Sequence, residues 1–103
     1  MCEIQLVKRI NRDLTSQDKV EFTRLMKKGA SFNRDAFGFF NDAINFKMGK
    51  SFTKKKKGMN VRKLITNAKG DFLVGHNRLE TDGDAKNNGN NHPFVGKNWI
   101  VVH

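Results

Sequence analysis

The chain has 103 residues, 20 Lys+Arg against 10 Asp+Glu for a formal net charge of +10, and 37% hydrophobic residues. At this size one domain with a modest core is expected; no apolar stretch approaches the ~20 residues of a membrane span, and the apolar run of MCEIQLVKRINRD is short and interrupted by charges, so no signal peptide is expected. One cysteine excludes an internal disulfide and a cysteine-based zinc cluster, and His76, His92 and His103 do not fall at helical metal-ligand spacing, so the expectation is a cytoplasmic protein with no metal, no cofactor and no membrane partner.

Residues 2–9, CEIQLVKR, alternate in part and predict a first strand. Thr15 or Ser16 is a good N-cap. Val20, Phe22, Leu25 and Met26 recur at near-helical spacing, which predicts a helix over 16–28. Lys27 and Lys28 suit the negative end of its dipole, and Gly29 is expected to stop it. Residues 31–35 read as a turn. Phe37, Phe39 and Phe40, then Ala43, Ile44 and Phe46, flank Asn41-Asp42 and predict a hairpin. Residues 47–58 form a basic connection in which Lys54–Lys57 reads as a solvated loop. Val61, Leu64 and Ile65 predict a short helix ending at 67–70. DFLVG (71–75) predicts a buried strand, 80–91 a long polar loop, and WIVV (99–102) a last strand. This order predicts an α+β fold with antiparallel sheets packed against helices.

The charge admits a nucleic-acid partner. The nine phenylalanines could stack on bases, yet Phe22, Phe37, Phe39 and Phe40 fall at predicted core positions.

Cys2 is the first residue with chemistry to explain. If Met1 is removed, Cys2 carries a free α-amine beside its own thiol. An α-amine titrates near pH ~8 and can take the thiol proton, so one residue provides nucleophile and base. Alone, Cys2 equally suits an inert strand cysteine.

Four segments, in order, resemble the class II glutamine amidotransferases. MCEI resembles that family's opening Met-Cys-Gly-Ile. Asn33-Arg34-Asp35-Ala36-Phe37-Gly38-Phe39 resembles its Arg-Gly-x-Asp-x-x-Gly-Ile segment. Val74 to Gly83, VGHNRLETDG, resembles Gly-His-x-Arg-Trp-Ala-Thr-His-Gly. Asn91-His92-Pro93-Phe94 and NWIVVH (98–103) resemble the Asn-x-His-Pro-Phe loop and the strand leading to His-Asn-Gly.

The resemblance implies an N-terminal-nucleophile hydrolase-like αββα fold, with residues 1–103 as a partial amidotransferase domain. It implies that Cys2 is the nucleophile that attacks the side-chain amide of glutamine and forms a thioester. It gives Arg78 the α-carboxylate of glutamine, a task suited to a bidentate guanidinium, and Thr81 a part in shaping the pocket. Leu79, Glu80 and Asp82 stand where the motif has Trp, Ala and His; Asp82 is expected to pair with the substrate ammonium or with Lys86. His76 is expected to support the strand end and His92 to anchor its loop. The family's oxyanion-hole Asn-Gly would begin just past His103. The chain alone is therefore expected to be incomplete or inactive, with a downstream segment or second chain completing the site. The alternative expectation is a degenerate relative acting as a basic nucleic-acid-binding or assembly subunit.

Overall fold

In the structure, a computed structural model that describes residues 2–54, 60–79, 84, 86–88, 91–97 and 100–102, the strongest local signal becomes helix α1 (Ser16–Ala30). Thr15 caps it: its hydroxyl accepts from the Asp18 amide at 3.1 Å, and the Asp18 carboxylate accepts from the Thr15 amide at 2.9 Å. Arg9 clamps the same carboxylate with two bonds of 2.8 Å. That guanidinium, seconded by the Thr15 amide, holds Asp18 well below the usual carboxylate range.

The helix does not stop at Gly29 but runs on to Ala30, and Ser31 caps it through Lys28 and Gly29 carbonyls. A Cβ at Gly29 would lie 2.6 Å from Asn77 Nδ2 and 2.6 Å from Gln5 Nε2. Glycine is there for close approach to the sheet, not for termination. Of the predicted apolar stripe, Phe22 and Met26 are fully buried, whereas Val20 is exposed.

The other elements are β1 (Cys2–Lys8), β2 (Ala36–Phe40), β3 (Asn45–Met48), α2 (Val61–Asn67), β4 (Phe72–Arg78), β5 (Phe94–Val95) and β6 (Ile100–Val101). The first four strands form one antiparallel sheet in the order β1-β4-β2-β3, and β5 pairs with β6. The protein is thus an α+β fold, as the element order requires. The β2–β3 turn is closed by Asn41, whose Oδ1 accepts from the Ala43 and Ile44 amides at 2.9 and 3.0 Å.

Three boundaries differ from expectation. Strand β3 includes Lys47 and Met48, so the basic connection begins later. Strand β4 extends past Gly75 to Arg78 because it is central, paired to β1 on one side and β2 on the other. Strand β5 has no counterpart among the predicted elements, and it pairs with β6, which covers part of the predicted 99–102 strand. Lys54 is exposed; Lys55, Lys56 and Lys57 lie outside the described residues. Among the described residues no helix is long and apolar enough to cross a membrane.

Alternation divides the large sheet into two faces. Glu3, Gln5, Val7, Phe37, Phe39, Leu73, Gly75 and Asn77 share the face under α1. Phe22, Met26, Phe37, Phe39, Ile65 and Leu73 are fully buried in the core there. Phe22 meets Phe39 edge-on with ring centroids 6.4 Å apart, and Phe37 meets Phe52 at 5.2 Å. Each such side chain contributes ~1.5–3 kcal/mol by leaving water.

Candidate functional site

The opposite face carries the chemistry. Cys2, Arg78 and Ala36 occupy one row across β1, β4 and β2. Opposite residues of an antiparallel pair lie about 4.5–5.5 Å apart at Cα and share a face. The fold therefore sets the start of the chain beside the end of β4. Cys2 is a free, exposed thiol. Arg78 is only 5% exposed.

The Arg78 guanidinium is held from outside the sheet. Its Nη1 donates to Asn91 Oδ1 at 2.9 Å, and Asn91 Nδ2 donates to Asn88 Oδ1 at 3.0 Å. The Asn91 carbonyl accepts from Lys47 Nζ at 3.0 Å, and the Pro93 carbonyl accepts from the same ammonium at 3.3 Å. Asn88 Nδ2 returns a bond of 3.0 Å to the Lys47 carbonyl. Two cations, one on β4 and one on β3, thus grip one asparagine through its side chain and its backbone. Hydrogen bonds of this kind are what make a buried charge tolerable.

The next row pairs Ile4, His76 and Gly38. His76 is fully buried and its ring lies 4.3 Å from that of His92, which in turn lies 4.2 Å from Phe94. His92 thus holds its segment against the sheet. Gly38 lets that segment lie flat: a Cβ there would run into the His92 carbonyl and meet Pro93 Cδ at 2.7 Å.

Of the sequence-predicted site residues, Cys2 and Arg78 are brought together. Thr81 and Asp82 lie outside the described residues. Sequence reasoning gave no role to Lys47 or Asn91. Asn91 belongs to a matching motif, so its signal was present; nothing local marks Lys47, whose partners are more than 40 residues away. A groove of about 450 Å³ lies toward the other end of the face, between Phe40, Phe72, Val95 and Ile100, and neither Cys2 nor Arg78 lines it. Among the described residues no group of three His, Cys, Asp or Glu could hold a metal ion. Compared with protein-family models, curated proteins and solved structures, the chain finds no match.

Proposed function

We propose that the chain supplies the nucleophile and the carboxylate anchor of a class II glutamine amidotransferase site, on an N-terminal-nucleophile hydrolase-like αββα scaffold in the cytoplasm. The observation that carries this reading is the adjacency of Cys2 and Arg78 on one sheet face. Two matching motifs from opposite parts of the sequence meet there.

In this reading Met1 is removed and the Cys2 α-amine takes the thiol proton. The thiolate adds to the side-chain amide carbon of glutamine. The amide nitrogen gains that proton and leaves as ammonia, and a γ-glutamyl thioester remains. Water then cleaves the thioester, releases glutamate and restores the thiol. Arg78 pairs with the α-carboxylate of glutamine, and Asn91 fixes the plane of its guanidinium. The resemblance assigns Thr81 to shaping the pocket and Asp82 to the substrate ammonium; both lie outside the described residues. The one Asn-Gly pair in the sequence, Asn88-Gly89, precedes the segment that resembles the His-Asn-Gly strand instead of following it, so the reading takes the oxyanion donors from outside residues 1–103.

The test is ammonia release from glutamine by the Met1-processed chain and by a version extended with Asn-Gly after His103. The short chain is expected to be slower by about 10²–10³, the usual effect of a lost oxyanion donor. Equal rates would show that the oxyanion hole has been assigned to the wrong residues.

A second reading, a basic nucleic-acid-binding or assembly subunit, is favoured by one observation. Lys19, Arg24 and Lys27 of α1 and Arg62 of α2 line a single groove.

A further inference from the structure

We infer that the groove between α1 and α2 docks the phosphate backbone of double-stranded DNA. The inference deepens the second reading and is independent of the glutamine chemistry. The groove encloses about 390 Å³ and Cys2 does not line it; its charged lining residues are Lys19, Arg24, Lys27 and Arg62. No Asp or Glu is among the described residues that line it.

Spacing on α1 makes the cations a stripe. Lys19, Thr23 and Lys27 follow one another at four-residue steps, so they stack along one helix face over about 12 Å. Arg62 and Thr66 repeat the four-residue step on α2. Lys19 Nζ donates to the Thr66 carbonyl at 3.1 Å, which ties the two helices together and leaves its charge in the groove. The threonine hydroxyls donate back to their own helices, Thr23 to the Lys19 carbonyl and Thr66 to the Arg62 carbonyl, both at 2.9 Å. Their protons are spent there, so cations carry the recognition.

The two acids of α1 are already paired: Asp18 is clamped by Arg9, and Glu21 pairs with Arg24. Lys27 and Arg62 make no ion pair among the described residues. Three positive charges therefore stay uncompensated in one groove, within a chain whose net charge is +10. Each strand of a duplex presents one phosphate per about 3.4 Å of helix axis, a density that an extended stripe meets at several points. Single strands are held largely by stacking on aromatic side chains. Among the described residues no aromatic side chain lines the groove, and Phe22, Phe37 and Phe39 are buried in the core. Backbone contact without base readout follows.

The test uses the full chain and a mixed-sequence DNA duplex, read by fluorescence anisotropy across about 50–200 mM salt. Binding is expected to be independent of sequence, with log affinity falling against log salt at a slope of about −3 for three neutralised phosphates. The K27E/R62E variant should weaken binding roughly tenfold or more at the lowest salt and flatten that slope, while its thermal melt stays unchanged because both side chains are exposed. K27Q/R62Q gives the same reading if charge reversal disturbs folding. Unchanged binding in these variants would overturn the inference. So would loss confined to a Lys54–Lys57 to serine variant, or tighter binding to single strands or polyglutamate than to the duplex. Alkylation of Cys2 in K27E/R62E should match that of the parent, which separates failure here from failure of the amidotransferase reading.

Discussion

The two faces of the large sheet are both buried around β4, but by different means. Under α1, Leu73 belongs with Phe22, Met26, Phe37 and Phe39 to one buried apolar cluster, whose contacts have few directional demands. On the other face, Arg78 and His76 are covered by Asn91 and His92, and that cover is stitched by side-chain amides, carbonyls and one lysine. Apolar burial is tolerant of small shifts, whereas a hydrogen-bonded charge is not. The first face stabilises the fold; the second holds particular polar groups in fixed positions. Beyond the cover the second face opens, and Cys2, Ile4 and Leu6 of β1 are exposed there.

Substitutions separate these roles. Phe39→Ala should have the largest effect, a loss of about 3–5 kcal/mol from the helix-side core, read by urea unfolding. A loss below 1 kcal/mol would mean that this face is not the stabilising one. Gly38→Ala should cost about 1–3 kcal/mol, because the new methyl meets the His92 carbonyl. Its signature should be local: faster hydrogen exchange in residues 91–95, with the α1 amides little changed. Uniform acceleration would show that the cover and the core unfold as one unit.

Asp18→Asn sharpens the comparison at smaller scale, since it touches neither face. Arg9 and the Thr15 amide depress the Asp18 carboxyl. Its stabilising effect is therefore complete above the unfolded carboxylate range near pH ~3.9 and is lost as pH falls through the lower folded value. The parent should lose melting temperature on acidification below about pH 4, and Asp18→Asn should lose less over the same interval. Parallel acid profiles would show that the clamp does not persist in solution.

Much of the scaffold was legible because its signals are local. The Thr15 cap, the Phe22–Met26 step and the Asn41 turn each lie within a few residues. Gly29 misled because a glycine at a helix end and a glycine at a helix–sheet contact look alike in sequence; only Gln5 and Asn77, distant in the chain, distinguish them. The end of β4 was hidden for a related reason. His76, Asn77 and Arg78 are polar and fall outside the predicted 71–75 strand, yet partners from α1 and from Asn91-His92 pack on them. Cys2 and Arg78 were singled out through motif resemblance, and their adjacency follows from a β1–β4 register that no local pattern specifies. Lys47 had no signal at all, since it acts through contacts with Asn91 and Pro93.

The most direct measurement is the rate at which a glutamine-mimicking electrophile labels the Met1-processed chain, followed by intact mass spectrometry. The account predicts one adduct, on Cys2, slowed by added L-glutamine but not by D-glutamine. It also predicts at least roughly tenfold slower labelling in Arg78→Gln, the scale of losing one charge-assisted contact. A Cys2 that reacts at the same rate with and without Arg78, or without regard to glutamine's handedness, would contradict the account.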